Sequence, residues 1–285
     1  MAKPNRKTAL ITGSTDGVGR MVATRLGAAD WRVLVHGRDR ARGAEVVAEI
    51  KKAGGAAEFL QADLSALAEV QRLAEAVQKT TKRLDLLINN AGIGSGGPQG
   101  IRQTSADGYE LRFAVNYLSG FLLTHLLLLP LIRKSAPARI VNVSSLGQQA
   151  IDFADVMLTQ DYSGMRSYRQ SKLAQILFTI DLARELAGTG VTVNALHPAT
   201  FMDTKMVREF GTPMSTVEEG ADAILQLAIS PAMEGRSGLY FNGQSEAHAT
   251  EQAYDAKARQ KLKKLSLELT GLSSKKSAGA ARSRR

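Results

Sequence analysis

The chain has 285 residues, of which 44% are apolar and 22% charged, and its formal net charge is +10. These fractions are typical of a globular protein and exclude a fibrous or wholly disordered chain. The absence of cysteine excludes disulfides, thiolate metal sites and a cysteine nucleophile, and it is compatible with the cytoplasmic location that we predict.

The positive charge is concentrated at the carboxyl end. Residues 257–285 contain ten Lys or Arg and one acid, Glu268, which gives +9 and leaves 27 basic and 26 acidic residues in the rest of the chain. Because no aromatic residue is interleaved with these charges, we expect no nucleic-acid partner and a basic, disordered tail over 273–285. A phosphate-binding or membrane-surface role is the minority alternative for this tail.

A first strand, Thr8–Ile11, leads into a glycine-containing turn. The turn, Thr12–Gly19, is followed by a helical pattern through Met21, Val22 and Leu26. In such a strand-turn-helix unit, backbone N–H groups and the positive end of the helix dipole can bind a phosphate. The glycines stand at 13, 17 and 19, a spacing that differs from the dinucleotide fingerprint G-x-G-x-x-G.

The second strand, Arg32–His36, is followed by Gly37 and Arg38 at its carboxyl end, where open parallel sheets bind ligands. An acid at this point would bind the ribose 2′-hydroxyl of NAD, whereas a guanidinium suits a 2′-phosphate. The sequence therefore favours NADP(H) over NAD(H). The alternative is that Arg38 and Arg40 are solvated loop charges.

Two further predicted strands deliver polar residues to the same edge of the sheet. Ala57–Ala62 precedes Asp63–Ser65, where Asp63 caps the next helix, contacts the adenine of a dinucleotide, or does both. Leu84–Ile88 is a continuous apolar strand that ends in Asn89–Gly92. The helix that follows contains Asn116 among apolar neighbours, and a buried asparagine usually satisfies a backbone group.

Tyr168 and Lys172 share one face of a predicted helix, which they open and which carries apolar residues at 173, 176, 177 and 180. An ammonium near a phenol favours the phenolate and lowers the tyrosine pKa from its usual value near 10, which is the chemistry of an acid/base tyrosine. Taken alone, such a pair is more often two ordinary surface or packing residues. A fifth strand, Arg139–Val143, delivers Ser144 and Ser145 before this helix.

The predicted fold class is α/β: a Rossmann-like, doubly wound parallel β-sheet with helices on both faces, in a single domain. Strands alternate with helices along the chain, and the last two predicted strands are Val191–Leu196 and Gly238–Gly243. The predicted divisions are an N-terminal extension (1–7), the Rossmann-fold domain (8–245) with substrate loops at 148–167 and 199–215, a C-terminal helical segment (246–272) and the basic tail (273–285).

With these elements in order, the sequence resembles the short-chain dehydrogenase/reductase family, in its branch with a T-G-x3-G-x-G turn. The resemblance runs from Thr8 to Gly243 and rests on residues 12–19, Asn89–Gly92, Ser145 and the Tyr168/Lys172 pair. Within the family the chain is most similar to the retinol-dehydrogenase-like NADP-dependent reductases, through the segments 171–174 and 190–198.

The resemblance implies a role for each matching residue. Tyr168 would exchange a proton with the substrate oxygen, Lys172 would lower its pKa and bind the nicotinamide ribose, and Ser145 would hold the same oxygen. Asn116 would anchor a water in a proton relay. The cofactor-binding residues that it implies are Gly13, Ser14, Thr15, Asp16, Gly17, Val18, Gly19, Arg38, Asp63, Leu64, Asn90, Ala91, Gly92, Tyr168, Lys172, Pro198 and Thr204. Ala199 stands where the family usually has glycine, and a positive φ there would strain it.

These residues predict an NADPH-dependent reductase of a ketone or aldehyde, or the reverse alcohol dehydrogenase. The alternatives are a catalytically silent NADP(H)-binding sensor on the same fold and a nucleotide-sugar epimerase, whose T-G-x-x-G-x-x-G turn is not found here. The apolar loop residues that suggest an apolar substrate are Ile151, Phe153, Met157, Leu158, Phe201, Met202, Met206 and Val207.

The sequence gives weaker evidence about a metal, a membrane or other subunits. The four histidines lack the spacing of a metal site, so we predict no metal. The apolar run Phe121–Ile132 falls short of the roughly 20 residues that span a bilayer, so we expect no membrane span. We also expect no anchor of the kind that many such relatives carry. As in many relatives, the helices over 117–131 and 172–186 are predicted to pair between subunits in a homodimer or homotetramer.

Overall fold

The computed structural model describes residues 6–96, 100–208 and 211–272, apart from the side chains of Lys205 and Met206. The predicted basic tail, most of the predicted N-terminal extension and the side chain of Met206 therefore lie outside the described residues.

One sheet carries the fold, with the strand order β3-β2-β1-β4-β5-β6-β7-β8. The strands are β1 (Thr8–Ile11), β2 (Arg32–Gly37), β3 (Ala56–Gln61), β4 (Leu86–Asn89), β5 (Ala138–Val143), β6 (Val191–His197), β7 (Tyr240–Asn242) and β8 (Ser245–Ala247). All neighbours pair in parallel except β7 and β8. The order reverses between β1 and β4, and open α/β sheets bind ligands at the carboxyl ends of the strands beside such a point.

Helices cover both faces of this sheet. They are α1 (Gly17–Ala28), α2 (Arg40–Lys52), α3 (Leu67–Thr80), α4 (Ser119–Leu127), α5 (Gly164–Glu185), α6 (Lys205–Arg208), α7 (Val217–Ile229) and α8 (Ala256–Leu269). One apolar core contains Phe121 and Leu177, and the second, on the opposite face, contains Val22 and Ile224. The predicted doubly wound α/β fold is confirmed, whereas the antiparallel strand β8 was not predicted and crosses the proposed domain boundary at residue 245.

The helix that carries Tyr168 begins earlier than predicted. Ser163 is its N-cap, with its hydroxyl accepting a hydrogen bond from the Arg166 amide at 3.4 Å, and α5 starts at Gly164. Tyr168 and Lys172 therefore lie one and two turns inside the helix. Backbone hydrogen bonding holds both residues on both sides, which fixes their side-chain directions more firmly than a helix end would.

The apolar helix that precedes β5 extends beyond the apolar run, Phe121–Ile132, that the sequence showed. A π-helical segment, Phe113–Leu118, precedes α4, and a second one, Leu128–Ile132, follows it around Pro130. Within the described residues, the joined stretch Phe113–Ser135 is long and apolar enough to cross a membrane by length and composition. Most of its apolar window is buried against the rest of the fold, as is usual for a core helix.

The carboxyl-terminal helix α8 packs on the helices that were predicted to pair between subunits. Ser266 shares a hydrogen bond of 2.7 Å with the Tyr117 hydroxyl, and the Lys263 ammonium forms ion pairs with Asp181, at 3.5 Å, and with Glu185. A homodimer built through that surface would have to displace α8. The homo-oligomer itself remains a prediction, which sedimentation at micromolar concentration tests.

Candidate active site

The turn between β1 and α1 requires glycine because the residues that follow β4 lie against it. Gly13 has a φ of +64°, and a Cβ built there would lie 2.8 Å from the Ala91 Cα. A Cβ at Gly19 would overlap the Gly13 carbonyl oxygen and the Asn90 side chain. At Gly17, which has a φ of +50°, it would lie 3.4 Å from Thr204. The glycines thus let this turn pack closely against its neighbours, and the turn, residues 12–19, is the predicted phosphate-binding cradle.

Side chains from neighbouring strands fix the shape of this turn. The Asn90 amide donates to the carbonyl oxygens of Thr12, at 2.8 Å, and Gly13, at 3.0 Å. The Thr12 hydroxyl accepts hydrogen bonds from the backbone amides of Asn90 and Ala91, both at 3.0 Å. Ser14 is fully buried and donates to the Ile11 carbonyl. Asn90 and Ser14 therefore use their side chains to build the turn.

His36 forms hydrogen bonds with this turn, and the sequence did not predict these contacts. Its Nδ1 accepts a hydrogen bond from the Gly13 amide at 3.1 Å, and its backbone amide donates to the Ser14 hydroxyl. Burial lowers the pKa of His36 to about 4, so the ring is neutral at pH 7 and can accept that bond. In the sequence His36 is a lone histidine at the end of an apolar strand, and this pattern does not indicate the contact.

The carboxyl end of β2 presents an exposed guanidinium. Arg38 is exposed, and its backbone carbonyl accepts a hydrogen bond from the Gln61 side-chain amide at 2.9 Å. The adjacent acid, Asp39, is the N-cap of α2, and its carboxylate accepts from the amides of Ala41 and Arg42. Asp39 is therefore occupied by the helix end.

Asp16 is placed in a similar way at the start of α1. Its carboxylate accepts from the Gly17 amide at 2.8 Å and forms an ion pair with Arg42 at 3.1 Å. Its side chain thus caps α1, and the guanidinium of Arg42 offsets its negative charge beside the cradle.

Asp63 does not cap the helix that follows it, so that part of the prediction is wrong. Its carboxylate accepts from the Ser65 amide at 2.9 Å, which forms a tight turn, and α3 begins only at Leu67. The first amide of α3 donates to Asp107, which comes from a distant loop. Leu64 is buried beside this turn.

Ser145, Tyr168 and Lys172 converge at the carboxyl end of β5. A Cβ built at Gly147 would lie 3.5 Å from the Ser145 Oγ and 3.8 Å from the Tyr168 ring. The Lys172 ammonium lies 5.7 Å from the centroid of that ring. Burial raises the pKa of Tyr168, and a hydrogen bond with Ser145 opposes the rise. This direction is the reverse of the one predicted from the sequence.

The Lys172 ammonium is bonded to groups other than Tyr168. Its Nζ donates to the Val143 carbonyl oxygen at 3.0 Å and to the Gln175 side chain at 3.2 Å. Burial lowers the pKa of Lys172 to about 8. Burial also lowers the pKa of His197 to about 4, with the Lys172 charge acting in the same direction. An ammonium has three donors, and two of them are used in these bonds among the described residues.

Asn116 lies in the first π-helical segment and has a full set of protein partners. Its Oδ1 accepts from the Ile93 amide at 2.7 Å, and its Nδ2 donates to the Ile93 carbonyl at 3.1 Å and to the Ser171 hydroxyl at 3.0 Å. A Cβ at Gly92 would lie 3.3 Å from Asn116 and 3.5 Å from the Lys172 Nζ. Gly92 thus keeps the space between these two side chains open.

The loop after β6 closes the site on the other side of the cradle. Among the described non-glycine residues, Phe201 has a positive φ, of 46°, and Ala199 does not, so the predicted strain falls two residues later. Such a conformation costs about 1–3 kcal/mol and persists only where its surroundings enforce it. The Met214 amide donates to the Phe201 carbonyl at 2.9 Å, and Thr204 approaches Gly17. Pro198 leads into this loop, directly after His197.

Comparisons with known proteins agree on the identity of this architecture. The family model described as short chain dehydrogenase matches residues 7–215. The chain belongs to the short-chain dehydrogenase family. It is 38% identical to retinol dehydrogenase 14 of Homo sapiens and 35% identical to retinol dehydrogenase 12 of Homo sapiens, in each case over 93% of this chain and 87% of the relative.

Solved structures also resemble this chain. An uncharacterized protein from Mycobacterium paratuberculosis superposes with a TM-score of 0.77 and 29% identity, covering 93% of both chains. The landomycin C-6 ketoreductase LanV, solved with bound NADP and rabelomycin, gives a TM-score of 0.67 and 28% identity over 84% of this chain and 95% of that one. The predicted resemblance to retinol-dehydrogenase-like members of this oxidoreductase family is confirmed.

The apolar loop residues named from the sequence are mostly core residues of this short-chain dehydrogenase. Ile151 and Leu158 are buried, while Phe153 and Met157 pack on the first core, Met202 packs on the second, and Val207 is buried. Phe201 is 46% exposed, and two residues missed by the sequence analysis, Leu146 and Met214, are 54% and 72% exposed. The amino-acid composition of these loops could not show which apolar side chains belong to the core and which line the site.

Proposed function

We propose that the chain is an NADPH-dependent oxidoreductase that reduces an apolar ketone or aldehyde to an alcohol, or catalyses the reverse reaction, with Tyr168 as acid/base. The observation that carries the proposal is the convergence of Ser145, Tyr168 and a buried Lys172 beside the glycine cradle. These three side chains suit proton transfer to a carbonyl oxygen, and core packing alone does not explain why they lie together.

The cradle supports a dinucleotide as the cofactor. Gly13 and Gly19 are required by the close packing of this turn, and the turn leads into the start of α1, where unpaired amides favour a phosphate. When bound, NADPH supplies a hydride from C4 of its nicotinamide. Lys172, with two of its three donors used among the described residues, and Thr204, beside Gly17, are the side chains that would hold its nicotinamide half.

The preference for NADP(H) rests on Arg38 and Asp39. The exposed guanidinium of Arg38 suits a 2′-phosphate, and the Asp39 carboxylate, which could otherwise bind a ribose hydroxyl, is used in capping α2. Arg38 would not need to break an ion pair to bind a phosphate, because it has none among the described residues.

Tyr168 is suited to donate a proton at neutral pH. Because burial raises its pKa, the phenol is protonated and can transfer its proton to the oxygen of a carbonyl as that oxygen becomes an alkoxide. Ser145 would hold the same oxygen through its hydroxyl. Asn116, whose amide is engaged by Ile93 and Ser171, is proposed to keep the Lys172 surroundings in place and to line a path for water.

An apolar substrate is supported by the exposed side chains of Leu146, Phe201 and Met214, which lie on the two loops at the site. The name retinol dehydrogenase, carried by the relatives at 35–38% identity, points to an apolar alcohol or its carbonyl product. We propose this substrate class for the chain and no particular member of it.

Fluorescence titration with NADPH and with NADH tests the cofactor assignment. We expect Arg38→Ala to lower the ratio of NADPH to NADH affinity by about tenfold or more, because a charge-assisted bond to the 2′-phosphate is lost. Arg40→Ala, which removes an exposed charge two residues later, is the matched control and should leave the ratio unchanged. Equal affinities for both nucleotides in the wild type would contradict the NADP(H) assignment.

A further inference from the structure

The loop that carries Ser145, residues 145–151, is held by glutamine side chains. The Gln148 Nε2 donates to the Ser145 carbonyl at 3.0 Å, and its Oε1 accepts from the Thr250 amide at 2.9 Å. The Gln170 Nε2 donates to the Ala150 carbonyl at 3.0 Å. The Tyr240 hydroxyl also donates to the Ser145 carbonyl, at 3.1 Å. Three side chains therefore hold the backbone of this loop by hydrogen bonds.

Gln252 completes this arrangement from the far end of the sequence. Its Oε1 accepts from the Ile151 amide at 2.6 Å and its Nε2 donates to the Ile151 carbonyl at 3.0 Å. One side-chain amide thus pairs with both backbone groups of a single residue, much as a neighbouring strand would. Ile151 is buried, so both backbone groups would be costly to leave without partners.

Gln252 is itself held firmly. It lies in the 3-10 turn Glu251–Ala253, whose last carbonyl accepts from the buried Arg259 guanidinium at 2.7 Å. Arg259 is in α8, where the Lys261 ammonium also lies 5.8 Å from the Phe153 ring centroid. The turn and α8 lie beyond residue 215, where the match to the family model ends, so the loop that carries Ser145 is anchored by a part of the chain outside that match.

We propose that Gln252 is a positioning residue that holds loop 145–151 so that the Ser145 hydroxyl meets Tyr168 and the Leu146 side chain faces the substrate. The inference rests on the proposed oxidoreductase function. Displacing a reacting group by about 1 Å can cost about a hundredfold in rate, and loss of the Gln252 bonds frees the end of the loop five residues from Leu146. Gln252 acts only through this loop and touches neither Ser145 nor Tyr168 among its described contacts.

The test compares Gln252→Ala, which removes both bonds, with Gln252→Glu, which keeps the acceptor for the Ile151 amide and loses the donor to the carbonyl. Glu251→Ala, an exposed position in the same turn, is the matched control. Rates are measured with the apolar aldehyde that the wild type reduces fastest and are normalised to the concentration of NADPH-binding sites, so that unfolded protein does not count.

We expect kcat/KM to fall about 10- to 100-fold in Gln252→Ala and by an intermediate factor in Gln252→Glu, with a rise in KM and an NADPH dissociation constant within about twofold of the wild type. Wild-type kcat/KM in all variants would overturn the inference. If Gln252→Ala does not fold, Gln252→Glu decides alone, on the same criteria.

The two proposals fail in different ways. A wild type that binds NADPH and reduces no carbonyl counts against the proposed function. A wild type that turns over, with glutamine variants that match it, counts against the role of Gln252 alone.

Discussion

The burial of Lys172 has a cost that can be measured as a stability difference. Its pKa falls from the usual 10.5 to about 8 because burial disfavours the ammonium. Between those values the unfolded chain binds more protons than the folded one, so stability rises with pH across this window. Below pH 8 the full penalty is present, at about 3 kcal/mol, from 1.36 kcal/mol per pH unit.

Lys172→Met removes the charge and keeps an unbranched side chain of similar length. It also leaves the Val143 carbonyl and the Gln175 side chain without a donor, at about 1 kcal/mol each. At pH 7 the variant should therefore be more stable than the wild type by about 1 kcal/mol, and near pH 10 it should be less stable by about 1–2 kcal/mol.

Urea denaturation of both proteins at the two pH values measures this change. Subtracting the wild-type stability from the variant stability at each pH removes the contribution of the other titrating groups, which the two proteins share. Lys51→Met, at an exposed position of α2, is the control for removal of a lysine side chain. A stability difference between Lys172→Met and the wild type that is the same at pH 7 and pH 10 would refute the derivation.

Two further substitutions test the packing around the site. Gly13→Ala should destabilise the fold by about 2 kcal/mol or more, since a left-handed alanine costs about 1–2 kcal/mol and its methyl would meet the backbone of Ala91, which follows β4. Gly54→Ala, also at positive φ but with open space, is the thermal-denaturation control, and equal losses would contradict the clash. Arg112→Leu should cost about 3–5 kcal/mol because it removes the positive charge paired with the buried Glu110 carboxylate, which keeps the Phe113 amide and the Tyr162 hydroxyl as donors. An exposed pair broken by Arg208→Leu should cost at most about 1 kcal/mol, and a similar loss in both would argue against the buried pair.

The fold and the position of the site could be predicted because parallel strands deliver their carboxyl ends to one edge. Once β1, β4 and β5 were recognised as apolar runs, the residues after them had to lie close together. The tyrosine and lysine followed from helical spacing. These are local patterns, and local patterns leave a periodic signal in the sequence.

The contacts that the sequence did not reveal join residues that are distant along the chain. Gln252 meets Ile151 across 101 positions, and His36 meets Gly13 across 23. A side chain that bonds to a distant backbone group leaves no repeat, and its residue type is common elsewhere. The direction of the Tyr168 pKa was missed for a related reason, since burial of the phenol outweighs an ammonium that is bonded elsewhere.

The most direct test of the account is the oxidation of NADPH by wild type and Tyr168→Phe in the presence of a panel of apolar ketones and aldehydes. The wild type should reduce at least one of them, and the phenylalanine variant should bind NADPH normally while its rate falls by about a hundredfold or more. Undiminished turnover in the variant would contradict the role of Tyr168. Tight NADPH binding by the wild type with no turnover of any carbonyl would instead identify a silent dinucleotide-binding protein.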